Sequence, residues 1–149
     1  MTQHITRHDP RLAAWSAFLR AHSRVVRELE RELQSEQRMA LTDYDVLVQL
    51  ASAGDRRLRM SELADRLLLS RSGATRLVDR LVAQGMVERV MCDVDRRGQW
   101  ASLTDAGHER LRQASPTHLR GVAEHFLDRL SADELAAMER VFTRLDDEG

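Results

Sequence analysis

The sequence predicts a mainly α-helical chain carrying one small β-hairpin, and three observations carry that prediction. Apolar side chains recur at alternating steps of three and four near both ends, the spacing of an amphipathic helix. Between Met86 and Leu103 that spacing gives way to two short strand-like runs around a polar stretch rich in Asp and Arg. Ser, Thr or Asp stands before the helical runs, and Gly85 follows one of them, as helix ends require.

The first helix is expected from about Pro10 to Ser35. Leu12, Trp15, Leu19, His22, Val26, Leu29 and Leu33 lie along it at steps of three and four, a heptad-like stripe that Phe18 and Val25 widen. Asp9 is its expected N-cap, and Pro10 sits in the first turn, where a missing amide hydrogen costs nothing. Thr42 is expected to cap a second helix reaching Ala51, with Asp45 at the capping-box position and Tyr44, Leu47, Leu50 and Ala51 buried. Ala53-Gly54-Asp55 breaks that helix, and Leu58-Arg59-Met60 reads as a short strand. Ser61 caps a third helix, Glu62 to Leu67, which turns Leu63, Ala64 and Leu67 inward. Leu68-Leu69-Ser70 is a tight turn. Ser70 then caps a fourth helix from Arg71 to about Gln84, with Leu77, Val78 and Leu81 inward and Gly85 in the left-handed position after it. Met86 to Met91 and Gln99 to Leu103 form the hairpin. Thr104 caps a long fifth helix with Ala106, Leu111, Leu119, Val122, Phe126 and Leu130 as inner positions. Pro116 is expected to kink or interrupt it, because proline lacks the amide hydrogen and clashes with the preceding turn. Ser131 and Glu134 make a capping box for a last helix bearing Leu135, Met138, Phe142 and Leu145.

Composition sets the outer bounds. A chain of 149 residues, 42% hydrophobic and 32% charged, fits one domain with a buried core. No stretch approaches the roughly 18 unbroken apolar residues of a membrane span, and Met1 to Pro10 is polar, so a cytoplasmic protein with no membrane partner is expected. The one cysteine, Cys92, excludes an internal disulfide framework. Net charge is only −1, but it is unevenly spread: Arg56 to Arg97 holds ten arginines against six carboxylates, and the rest of the chain thirteen against eighteen. All 23 basic residues are Arg. Codon bias in a GC-rich genome accounts for missing Lys but not for the clustering. The planar guanidinium bonds two acceptors at once, which suits phosphate and guanine.

Two short helices joined by a tight turn, the second polar on its outer face, fit a helix-turn-helix. Ser70, Arg71, Ser72, Thr75 and Arg76 occupy the N-terminal half of the second helix, the half that enters a major groove. The serines and Thr75 would donate to phosphate or bases, Arg71 and Arg76 would read either, and the free amides of the helix start favour phosphate. Gly73 and Ala74 are small enough to let bases approach. A solvated amphipathic helix is the plainer reading of this helix by itself. The hairpin tip, about 92–98, sets Arg96 beside Arg97, a repulsion with no folding benefit that a narrow minor groove would relieve. Asp95 would orient one guanidinium. A solvated turn is the plainer alternative there. The combined order is that of a winged helix-turn-helix, with a recognition helix at about 71–84 and a wing at about 92–98. The apolar stripes of the terminal helices have little else on the chain to cover them and suggest a homodimer, unless they pack only within one chain. A two-fold dimer would read a pseudo-palindrome in double-stranded DNA, half-sites about one helical turn apart.

Ser61-Glu62-Leu63-Ala64, the run from Ser70 to Leu81, Gly85-Met86-Val87-Glu88-Arg89, Asp95-Arg96-Arg97-Gly98 and Leu103-Thr104-Asp105-Ala106-Gly107 together resemble the MarR family. The resemblance spans Leu41 to Leu111 closely, and the helical flanks match in order and length. It implies one MarR-type domain over 1–149, with dimerisation helices at 10–40 and 112–149 and a DNA-binding lobe at 41–111. It also implies recognition helices in successive major grooves and wings in minor grooves, with Asp95 and Arg97 as the wing's Asp-x-Arg and Arg97 inserted. The function implied is a transcriptional repressor released by a small aromatic or anionic ligand bound between the dimer helices and the DNA-binding lobe. Trp15, Phe18 and His22 would line such a pocket, or serve as ordinary core or interface residues. Some relatives sense peroxide through a cysteine on the first helix; that helix has none here, and Cys92 beside the wing is a passive small residue by default. His118 and His125 are seven apart, but no metal-ligand motif accompanies them, so neither metal nor cofactor is expected. Nothing resembles a nucleophile elbow, a phosphate-binding loop or a paired-carboxylate site, so no enzyme is expected. A ligand- or protein-binding helical module without DNA binding remains the alternative.

Overall fold

The structure is a computed structural model that describes residues 5–91 and 98–147. Its regular elements run α1 (Leu12–Glu32), α2 (Leu41–Ser52), β1 (Arg57–Arg59), α3 (Met60–Arg66), α4 (Arg71–Ala83), β2 (Val87–Met91), β3 (Gln99–Leu103), α5 (Asp105–His125) and α6 (Ala132–Asp147). A π-helical turn, Leu33–Gln37, follows α1. The expected mainly helical fold with a small hairpin is present, with β1 added as a third strand in the antiparallel order β1-β3-β2. The chain divides into two compact units, 32–118 on the one hand and 1–31 with 119–149 on the other.

The 32–118 unit has a dense apolar core. Leu33, Tyr44, Val46, Leu47, Leu50, Leu63, Val78, Leu81 and Val87 are buried in it. Alternation along the sheet does the sorting: Leu58 faces Ala101 and Val87 faces Leu103 on the inner side, while Arg57, Arg59, Trp100, Ser102, Glu88 and Val90 share the outer side. One carboxylate enters this core. Asp43 is buried on α2 and pairs with Arg80 of α4, which removes the cost of an unpaired buried charge.

Helices α3 and α4 stop by one device. The amide of Gly85 bonds to Val82 O and that of Met86 to Leu81 O, both at 3.0 Å. The amide of Leu68 bonds to Asp65 O at 3.2 Å and that of Leu69 to Ala64 O at 2.9 Å. Each is a Schellman ending, which needs one left-handed residue. Gly85 supplies it with φ 75° at no steric penalty; Leu68 supplies it with φ 55°, although its side chain is 93% exposed.

Several element starts differ from expectation. Helix α2 begins at Leu41, two residues ahead of the start that a Thr42 cap implies, behind an extended Ala40 that makes no side-chain cap, and Thr42 lies exposed inside it. Helix α3 begins at Met60, so β1 is shifted back by one residue. Ser61 is already helical there, and Glu62 bonds back to the Arg59 amide at 3.1 Å. On α5, Ala106 and Leu119 are exposed. The inner line runs instead through Gly107, Leu111, Ala114, Thr117 and Gly121. Gly107 sets that phase: a Cβ there would stand 2.1 Å from Met86 O, so only glycine lets α5 lie against the turn. Thr104 caps this helix as expected, accepting from Gly107 N at 3.0 Å and donating to Gly85 O at 2.7 Å. Pro116 does not interrupt α5. Thr117 just after it is buried and accepts from Gln37 Nε2 at 2.9 Å, so tertiary contacts hold the turn that the missing amide weakens.

In the 1–31 and 119–149 unit, Leu29 is the one large apolar side chain that is buried among the described residues. Trp15, Phe18, Leu19, Leu119, Leu127, Val141, Phe142 and Leu145 are exposed. The Phe18 and Phe142 rings meet at 5.4 Å. The capping box of α6 is formed: Ser131 N donates to Glu134 at 2.8 Å and Glu134 N to Ser131 Oγ at 3.2 Å, which holds the Glu134 carboxyl below its ordinary pKa. Among the described residues no helix is long and apolar enough to cross a membrane.

Candidate nucleic-acid interface

The start of α4 is built from Ser70. Its Oγ accepts from Gly73 N at 3.0 Å and lies 3.2 Å from Ser72 Oγ. Ala74, Leu77, Val78 and Leu81 form the inner stripe of the helix. That periodicity leaves Arg71, Ser72, Thr75 and Arg76 exposed on its N-terminal half, as the sequence reading expects. Two small residues have different roles from those expected. Ala74 is 1% exposed and meets the core, not solvent. Gly73 is half-buried, and a Cβ on it would stand 3.1 Å from Ser70 Oγ, so its smallness serves the cap.

Beside this half-helix runs a groove of about 380 Å³ lined by Arg59, Met60, Ser61, Arg71, Thr75, Gly98 and Gln99. Among the described residues, two guanidiniums and no carboxylate line it. The helix start adds the amides that precede Gly73, whose own amide Ser70 Oγ takes, so the mouth favours an anion. Arg59, Ser61 and Gln99 are additions to the expected residues. Arg76 is exposed but outside this lining.

Arg89 holds the geometry together. It stands on the inner side of β2, opposite Ala101. Its guanidinium donates to Asp79 Oδ1 at 2.8 Å and Thr75 O at 3.4 Å on α4, and to Gln99 Oε1 at 2.5 Å on β3. One side chain thus sets the distance between helix and hairpin. The signal for it was available: an Arg two residues from Val87 in a strand of period two falls on the buried face.

Asp95, Arg96, Arg97 and Cys92 lie outside the described residues. The expected effector residues are in the other unit. Phe18 and His22, with Ala21, Val25, Phe126, Met138 and Phe142, line an apolar cleft of about 250 Å³. Trp15 stacks toward Phe18 at 6.0 Å but does not line the cleft. An adjoining cleft of about 310 Å³ shares Ala21, Val25, Phe126 and Met138 and adds Arg24, Glu28, His125 and Arg129. His118, in the 32–118 unit, stacks on Tyr44 at 4.4 Å, and burial lowers its pKa.

The MarR family model matches residues 39–98. The chain is 34% identical over 104 residues to the transcriptional repressor MprA of Escherichia coli K12, covering 70% of this chain and 58% of MprA. It thus spans a little under three fifths of that curated relative. Among solved structures it resembles AbsC, a MarR family transcriptional regulator from Streptomyces coelicolor, with a TM-score of 0.88 and 31% identity over 99% of this chain and 97% of AbsC. It is equally similar to Sco3205 of the same organism, solved in complex with DNA, with a TM-score of 0.88 and 33% identity over 98% and 91%.

Proposed function

The chain belongs to the MarR family, and on that premise we propose that it is a transcriptional regulator of the cytoplasm that binds double-stranded DNA. Helix α4 enters the major groove, with Ser70, Arg71, Ser72, Thr75 and Arg76 facing it. The wing at about 92–98, with Asp95 orienting Arg97 and Arg96 beside it, takes the minor groove. The observation that carries this reading is the groove of Arg59, Arg71 and Thr75, lined by no carboxylate among the described residues, beside a helix half whose buried side is its apolar stripe. The naming of MprA as a repressor and the solution of Sco3205 with DNA support the same direction.

The exposed apolar side chains of the terminal helices, at 10–40 and 112–149, serve a homodimer, since large exposed apolar patches on a monomer are rare. A two-fold pair presents its helices to a pseudo-palindromic operator. Repression is lifted by a small aromatic or anionic effector. The cleft at Phe18 and His22 offers it rings, and the adjoining cleft offers Arg24 and Arg129.

Footprinting on the DNA upstream of the chain's own coding region tests the reading. A protected pseudo-palindrome is expected, lost with Arg71→Ala and released by an aromatic carboxylate such as benzoate. Absence of specific, salt-sensitive binding on any such fragment overturns it.

A further inference from the structure

Trp100 lies on the outer side of the sheet, directly opposite Arg59 across the β1-β3 pair. Two guanidiniums stand over its ring, that of Arg57 at 4.9 Å from the centroid and that of Arg59 at 5.0 Å. A ring attracts a cation to its face. Two cations brought to one ring also repel each other, and a nearby anion removes that conflict. The neighbouring carboxylates do little of this. Asp55 reaches Arg57 only at 3.9 Å and is itself highly exposed, and Glu88 stands on the far side of β3, opposite Ser102. Among the described residues, Arg59 meets no carboxylate. A guanidinium held by its face keeps its N–H donors in its own plane, free to take two oxygens of one phosphate. Arg59 also borders the groove beside Arg71 and Thr75, so one guanidinium is common to the ring and to the groove along the reading helix.

Resting on the reading of the chain as a DNA-binding regulator, we propose that Trp100, Arg57 and Arg59 form a second, sequence-independent clasp for the phosphate backbone of duplex DNA. Arg57 and Arg59 are the phosphate ligands. Trp100 is a positioning residue that stacks both guanidiniums and so reduces the side-chain freedom lost on binding. The clasp fixes where α4 stands along the duplex; it reads no base.

The experiment is a salt titration of binding to two fluorescein-labelled duplexes, one of mixed sequence and one from the upstream region. Arg57→Gln with Arg59→Gln is expected to reduce the slope of log K against log salt by about 2, and affinity at low salt by about tenfold, on both duplexes alike. Trp100→Leu is expected to reduce the slope by about 1, and Trp100→Phe, which keeps a ring, to restore it. Circular dichroism confirms that each variant is folded; Arg57 is exposed and Arg59 half-buried with Gln keeping part of its stem, so their variant stands even if Trp100→Leu does not fold. An unchanged slope in the double variant overturns the clasp and leaves the regulator reading intact. A loss confined to the upstream duplex also overturns it, because that outcome means base reading. A wild-type slope in folded Trp100→Leu removes the positioning role. Wild-type protein that binds neither duplex overturns the regulator reading and the clasp together.

Discussion

Arg89 on β2 donates to Asp79 on α4 at 2.8 Å, and the same guanidinium reaches Gln99 on β3 at 2.5 Å. The bond to Asp79 joins the helix proposed to read bases to the strand that leads to the wing. Asp79 is largely exposed, so this ion pair adds little to stability. Its effect is on geometry. Arg89→Ala is expected to lower stability by about 1 kcal/mol while weakening DNA binding at an unchanged salt slope, because its guanidinium is engaged with Asp79, Thr75 O and Gln99. Urea unfolding and a salt titration check both halves. A slope lower by about 1 would make Arg89 a phosphate ligand instead.

Leu68 is strained where Gly85 is not. A left-handed conformation costs an L-residue roughly 1–2 kcal/mol, and glycine gives back roughly 0.5–1 kcal/mol through its freer unfolded chain. The exposed Leu68 side chain has almost no packing to lose. Leu68→Gly is therefore expected to gain about 0.5 kcal/mol, and Leu68→Val, branched at Cβ, to lose about 1 kcal/mol. Urea midpoints decide; a loss with glycine would mean that Leu68 packs on something in the assembled state.

His118 links stability to pH. Its folded pKa lies below the ordinary 6.5 because burial against Tyr44 disfavours the imidazolium. The unfolded chain therefore takes up the proton first as pH falls. The contribution of this group is complete above about pH 6.5 and is lost as pH drops toward the lowered folded value. His118→Phe should flatten the fall in stability between about pH 7 and about pH 5. An equal fall in wild type and variant would show that His118 is not responsible.

The terminal unit predicts a monomerising variant. Leu119 and Leu145 are 62% and 61% exposed, so replacing them should not empty a core. Leu119→Asp with Leu145→Asp is expected to turn a dimer into a folded monomer in analytical ultracentrifugation and to weaken binding to a two-half-site duplex. A dimer that survives both charges would place the interface elsewhere.

What was legible in the sequence was local. The Ser70 cap, the stripe of Leu77, Val78 and Leu81, the left-handed Gly85 and the Ser131 capping box all follow from spacing along one helix. Misreadings came where a distant partner decides. Thr42 looks like a cap, but Asp43 must turn inward toward Arg80, and the helix starts two residues sooner. Ala106 looks like an inner position, but contact with Met86 hands that face to Gly107. Ala74 looks like a base contact because the pattern of four small or polar residues hides its place on the core stripe. Strand period alone puts Arg89 on the buried face, but its partners Asp79 and Gln99, and the two guanidiniums over Trp100, depend on pairing between distant segments.

Helix α4 divides its duties cleanly by side. Ala74, Leu77, Val78 and Leu81 hold it in the core, and Arg80 moors it to Asp43. Arg71, Ser72, Thr75 and Arg76 have no part in either task. Changes at those four positions should cost no more than about 0.5 kcal/mol of folding stability, the usual range for surface sites. Operator preference can therefore be rewritten there without re-engineering the scaffold, which makes this helix a suitable cassette for building orthogonal gene switches.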